Sequence, residues 1–147
     1  MENEFIDIAL QMAKKAYKKN EVPVGAIIVK NNKVIAKGFN MREKSQNAIM
    51  HAEIVAIIKA CKKLKSWRLD NCDMYVTLMP CPMCAGAILN ARIKNVYYGA
   101  KDNNDKNNLF ENIMNDNVIL NHKTNYFYIK NEDCESILTN FFKAKRK

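Results

Sequence analysis

The sequence predicts an α/β domain in which helices cover both faces of one sheet. Three observations predict it. The chain has 147 residues, 48% of them hydrophobic and 9% aromatic, which suits one compact domain spanning 1–147 and leaves no room for a second of ordinary size. Apolar residues recur at helical spacing at both ends. Between those ends, short β-branched and aromatic runs alternate with helical patterns.

The first helix is expected from about Glu4 to Asn20, where Phe5, Ile8, Ala9, Met12 and Ala16 share one face and lysines the other. After Pro23, the runs Val24–Val29 and Val34–Phe39 answer each other across Asn31 and Asn32, residues that tolerate left-handed turn geometry. They predict a β-hairpin. Asn40–Asn47 is polar and reads as a loop, and Ala52–Leu64 carries Ile54, Ile57, Ile58 and Cys61 in a helical pattern. Met74–Leu78 reads as a strand broken by Pro80, and Pro82 suits the first turn of a helix reaching about Asn90. Val96–Gly99 and Tyr126–Ile129 are the fourth and fifth strands, with a polar loop at Asn103–Asn108 between them. A last helix starts near Asn131, with Glu132 and Asp133 favouring its positive end and Ile137, Leu138, Phe141 and Phe142 along its length.

Composition excludes several classes. The longest apolar runs fall far short of the roughly 20 residues that span a bilayer, so no membrane role is expected. Glu2, Glu4 and Asp7, followed by four lysines, occupy the place of a secretory signal, so a cytoplasmic protein is expected. Five cysteines make an odd set without framework spacing, which argues for reduced thiols. The net charge of +9 and lysine clusters at both ends fit a polyanionic partner, and equally a well-solvated surface.

The strongest motif pairs His51-Ala52-Glu53 with Pro80-Cys81-Pro82-Met83-Cys84. Zinc takes thiolate and imidazole ligands, and cysteines three apart in a first helical turn point to the same side. Unpaired N–H groups at that helix start favour thiolate. His51 supplies a third ligand, and the fourth tetrahedral position is left for a water whose pKa zinc lowers to about 7. Glu53, beside the ligand, is placed to carry protons. The chemistry that fits is hydrolytic removal of an exocyclic amine from an aromatic heterocycle. A CxxC alone also suits a redox pair or half of a structural zinc site; joined to HAE, it matches the signature of zinc-dependent deaminases.

Nearly the whole chain resembles the bacterial tRNA-specific adenosine deaminases. The likeness is carried by Glu21-Val22-Pro23-Val24-Gly25-Ala26, His51-Ala52-Glu53-Ile54, Tyr75-Val76-Thr77-Leu78, Pro80-Cys81-Pro82-Met83-Cys84-Ala85-Gly86-Ala87, Tyr98-Gly99-Ala100-Lys101-Asp102 and Phe141-Phe142-Lys143. It implies a three-layer α/β/α cytidine-deaminase-like fold with a mixed sheet of about five strands, one Zn2+ per subunit on His51, Cys81 and Cys84, Glu53 as proton donor, and a homodimer. It also implies conversion of adenosine to inosine at the wobble position of a tRNA anticodon stem-loop. Substrate contacts are expected at Val24, Asn40, Asp102, Phe142 and Lys143. Asn40 could hydrogen-bond a base or ribose, and equally serve a turn; Asp102, before two asparagines, has the same double reading. One of Phe141 and Phe142 is expected in the core and the other free to stack on an unpaired base, near phosphate-binding Lys143, Lys145 and Arg146.

Two departures stand out. Met79 occupies a position where the family usually has Glu, and Asn47-Ala48-Ile49-Met50 replaces the usual Asp-Pro-Thr-Ala. Neither removes a ligand, but both touch groups that tune or frame the site. Two other readings compete: a zinc deaminase of free cytosine, guanine or nucleosides, and a non-catalytic structural zinc module that binds RNA. The second needs a fourth protein ligand, for which Cys61, Cys72 and His122 are available.

Overall fold

A computed structural model describes residues 2–116 and 122–146. The chain opens with α1 (Glu2–Lys18) and the hairpin β1 (Gly25–Lys30) and β2 (Lys33–Phe39), whose turn residues Asn31 and Asn32 have φ of 53° and 62°. A single helical turn α2 (Arg42–Ser45) precedes α3 (Ala52–Leu64), β3 (Cys72–Val76), α4 (Pro82–Asn90) and β4 (Asn95–Tyr98). The last elements are α5 (Leu109–Asn115), β5 (Asn125–Tyr128) and α6 (Glu132–Lys145).

The strands form one sheet in the order β2-β1-β3-β4-β5. β1 is antiparallel to both β2 and β3, whereas β3, β4 and β5 run parallel, so the sheet is mixed. Strand periodicity sorts the core into two layers. Ala26, Ile28, Met74, Val76 and Val96 point to one face, which α3, α4 and α5 cover. Ile27, Val29 and Tyr75 point to the other and meet Ile6, Ala9, Leu10 and Ala13 of α1 and Cys134 of α6. Aromatic rings reinforce each layer: Tyr75, Tyr97 and Phe127 stack across β3, β4 and β5 with centroids 4.6 and 5.0 Å apart. This is the three-layer α/β/α arrangement the sequence implies.

Four sequence expectations shift. The Asn40–Asn47 loop contains α2, which forms because a distant carboxylate caps it, as described below. β3 begins two residues earlier than Met74, since Cys72 and Asp73 pair with Lys30 and Val29, and ends at Val76. α5 was not foreseen; its buried Phe110 and Met114, four apart, pin one short helix against the sheet. α1 starts and stops two residues before the expected limits, because Asn20 (φ 62°) turns the chain toward β1. Among the described residues no helix is long and apolar enough to cross a membrane.

Two glycines set the spacing of the layers. A Cβ on Gly25 would run into the backbone of Ala9 and Ala13, and one on Gly38 would lie 2.6 Å from the Ala52 carbonyl oxygen. Helices α1 and α3 therefore rest directly on the hairpin. α3 is thereby held at the end of the sheet where its first residues carry chemistry.

Candidate active site

The starts of α3 and α4 meet at one end of the sheet, beyond the C-terminus of the central strand β3. His51 is the N-cap of α3 and Cys81 the N-cap of α4, both with extended backbone (φ −71° in each). Neither side chain caps its own helix, so imidazole and thiol remain free to face each other. Pro82, needing no N–H partner, opens α4, and one turn brings the Cys84 thiol back beside Cys81. His51 Nδ1 lies 3.6 Å from Cys81 Sγ and 3.6 Å from Cys84 Sγ. All three donor atoms fall within 4.8 Å of one another, and they form a group able to hold a metal ion.

The spacing tests the metal. Ligand bonds of about 2.0 Å to nitrogen and 2.3 Å to sulfur in a tetrahedral site put adjacent donor atoms about 3.5 Å apart. The two His51–Cys distances agree. Cys61, Cys72 and His122, the side chains that could close the sphere as a fourth ligand, lie toward the opposite end of the sheet. The Cys61 thiol faces the Trp67 carbonyl, Cys72 opens β3, and His122 Nε2 sits 3.1 Å from the Ile93 carbonyl oxygen.

Charge in the cluster is shared unevenly. The hydrogen bond from the Cys84 thiol, assisted by His51, lowers Cys81 to about 4. Cys84 keeps its proton in that bond and is pushed well up, with burial adding to the effect. The bond to Cys81 also raises His51. Two converging helix N-termini add positive potential, which suits anionic sulfur. Glu53, in the first turn of α3, is 4% exposed. Burial pushes its carboxyl up to about 7, with its own backbone N–H pulling the other way.

A cavity of about 680 Å³ opens onto this cluster. His51, Glu53, Cys81, Met79, Val24 and Asn40 line it. Asp102, Phe141, Phe142 and Lys145 line it on the α6 side.

The family comparison agrees with this geometry. A model of the MafB19-like deaminase family matches residues 2–146. The tRNA-specific adenosine deaminase of Bacillus subtilis is 42% identical over 142 residues, covering 95% of this chain and 87% of the relative. The chain belongs to the tRNA-specific adenosine deaminase family. A solved tRNA:A34 deaminase, studied for A-to-I editing at the wobble position of transfer RNA, superposes with a TM-score of 0.83. It is 34% identical, with 92% of this chain and 99% of that one covered. A guanine deaminase structure from B. subtilis is also similar, with a TM-score of 0.67 at 32% identity over 98% of this chain and 92% of that one.

In this deaminase, the residues expected to contact substrate occupy distinct surroundings. Val24 is 9% exposed and forms an apolar wall. Asn40 lines the cavity but is engaged at both ends of its amide: Nδ2 donates to the Val22 carbonyl at 3.3 Å and Oδ1 accepts from the Arg42 N–H at 3.0 Å. Asp102 Oδ1 accepts from the Asn104 N–H at 2.9 Å, so it too performs turn chemistry at the cavity wall. Phe141 is 6% exposed and packs edge-on to Tyr17, while Phe142 is 44% exposed. Lys143 stands apart from the first cavity. It lines a neighbouring one of about 770 Å³ with Lys101, Glu135 and Arg146, reached past Asp102 and Phe142.

Glu21, Arg42 and Lys19 also line the cavity of about 680 Å³; in the sequence Lys19 stands out only as part of a basic cluster and Arg42 not at all. In the sequence Glu21 stands only as the first residue of the Glu21–Ala26 run. The available signal was a charged residue between a helix end and a β-branched strand, a position where burial is costly without a partner.

Proposed function

We propose that this chain is a zinc-dependent hydrolase that converts adenosine to inosine at the wobble position of a tRNA anticodon. The observation that carries the reading is one continuous cavity, which joins the His51–Cys81–Cys84 donor set and Glu53 to the aromatic and basic end of α6. A free base needs only the first half of that cavity. A nucleotide flipped from an RNA loop uses both.

Two sulfurs and an imidazole suit zinc, one ion per subunit, and zinc held there supplies Lewis-acid activation of water at neutral pH. Glu53 performs the proton work. Its carboxylate takes a proton from the attacking water and delivers it to the purine ring nitrogen. It then takes the proton of the hydroxyl that has added to the ring carbon and carries it to the exocyclic nitrogen, so that the carbonyl forms as the C–N bond breaks and ammonia leaves. Burial pushes the carboxyl toward holding a proton and a cation beside it favours the carboxylate, and a group between these pulls can both accept and donate. Burial keeps bulk water from competing for those protons.

Val24 forms an apolar wall for the base. Asn40 offers its remaining amide hydrogen and lone pair to base or ribose. Asp102 meets the ribose side of the nucleotide, Phe142 stacks on a neighbouring unpaired base, and Lys143 meets a phosphate. The reading also holds that 1–147 act as a single deaminase domain, that the working form is a homodimer and that it resides in the cytoplasm.

The likeness to a solved guanine deaminase favours one rival, deamination of free bases. The two separate when purified protein is incubated with an anticodon stem-loop carrying wobble adenosine and, in parallel, with free guanine, cytosine and adenosine. Inosine is expected in the stem-loop. Turnover of free bases alone would refute the reading.

A further inference from the structure

Glu21 is a carboxylate with 2% exposure, and among the described residues no lysine or arginine pairs with it. Burying such a charge is costly unless hydrogen bonds replace its water. Two do. Glu21 Oε1 accepts the backbone N–H of Glu43 at 3.0 Å, and Oε2 accepts that of Lys44 at 2.8 Å. These are N–H groups of the single turn α2, whose own N-cap, Met41, makes no side-chain cap. Glu21 therefore caps α2 from 22 residues upstream. Its own position is fixed by its N–H, which donates to the Ala16 carbonyl at the end of α1.

The capped turn belongs to a closed loop. The Met41 N–H donates to the Met50 carbonyl at 3.0 Å, so residues 41–50 return to the chain just before His51. Asn40 ties the other flank, through Val22 and Arg42. Arg42, first residue of the turn, is exposed and lines the cavity.

We propose that Glu21 is a positioning residue of the deaminase: by capping α2 from a distance it fixes the 41–50 loop over the cavity and holds Arg42 where its guanidinium meets a phosphate beside the reacting nucleotide. The clamp follows from the hydrogen bonds alone; the anionic ligand for Arg42 rests on the RNA reading given above.

The test uses full-length, zinc-loaded protein and the variants Glu21→Gln, Arg42→Gln and the double variant. Gln keeps the shape of Glu but has one acceptor oxygen, so one of the two N–H groups loses its partner. Amide hydrogen exchange at Glu43 and Lys44 is expected to quicken in Glu21→Gln and not in Arg42→Gln. Each single variant is expected to raise KM for the wobble-adenosine stem-loop about tenfold, as for loss of one charge-assisted contact, with a smaller change in kcat. The double variant is expected to be little worse than either, because both act through one guanidinium. Zinc content and melting temperature report whether the fold has survived. Unchanged exchange in Glu21→Gln overturns the clamp. Additive KM effects, or a loss confined to kcat, overturn the link to Arg42. A wild-type protein without stem-loop activity refutes the proposed function instead, and the exchange result still decides the clamp.

Discussion

Gly38→Ala tests whether the active site is placed by the contact between α3 and the hairpin. The new Cβ would stand 2.6 Å from the Ala52 oxygen, 2.8 Å from the Ala56 nitrogen and 3.1 Å from Val55 Cβ. Two of these neighbours are backbone atoms, which cannot swing aside as a side chain can. Ordinary contact requires α3 to retreat by about 1 Å. Overpacking of this kind costs about 1–3 kcal/mol, or about 3–10 °C in melting temperature for a chain of this length.

The helix that retreats begins at His51 and carries Glu53. Its movement pulls an imidazole away from sulfurs 3.6 Å distant and shifts the proton carrier relative to the substrate. A misplacement of about 1 Å costs about a hundredfold in rate. The assay combines thermal unfolding, zinc per chain, and kcat/KM on the stem-loop corrected for folded fraction. Expected are a lowered melting temperature, weaker zinc retention and a loss of kcat/KM near two orders of magnitude. An unchanged melting temperature would show that α3 does not bear on Gly38. A lowered one with intact kcat/KM would show that the strand does not position the site.

Glu53→Gln should keep its zinc, since the carboxylate is outside the donor group, and lose about 10² to 10⁴ in kcat; retained turnover would remove Glu53 from the proton path. Asn131→Ala removes the side-chain oxygen that caps α6 by accepting the Cys134 N–H at 3.1 Å, and should cost about 1 kcal/mol, read in denaturant unfolding. Burial holds the Cys134 thiol up at about 12, above its ordinary 9.0. The unfolded thiol ionises first as pH rises past 9, so this group's contribution to stability is intact below that pH and is lost between 9 and 12, at up to about 1.4 kcal/mol per pH unit. Cys134→Ala should therefore lose stability less steeply above pH 9 than wild type, and parallel curves would clear the thiol of any role.

What the sequence made legible follows the range of the interactions involved. Strand alternation and the Asn31–Asn32 turn depend on neighbours in the chain, so the hairpin and the two-sided core were readable. The donor set was readable too, because the spacing of Cys81 and Cys84 is a local fact and His51-Ala52-Glu53 is a compact signature. α2 was not, since four residues are too short to show a helical period and the carboxylate that caps them lies 22 positions away. Asn40 and Asp102 show the same limit from the other side. Their amide and carboxylate chemistry was visible, but only coordinates show that backbone N–H groups already occupy part of it.

The separation of roles between sulfur and carboxylate also has a positional cause. His51, Cys81 and Cys84 sit at N-cap and first-turn positions of two helices whose positive ends converge, and there the Cys81 thiolate is stabilised, with the Cys84 thiol donating to it. Glu53 is in the first turn of α3 as well, yet it turns into the buried wall, where desolvation outweighs the pull of the helix and raises its carboxyl. One helix start therefore presents a ligand and a proton carrier two residues apart with opposite tendencies to hold charge. Exchanging the two environments would spoil proton transfer: a carboxylate lowered by the helix end gives up its proton too readily to pass it on at neutral pH.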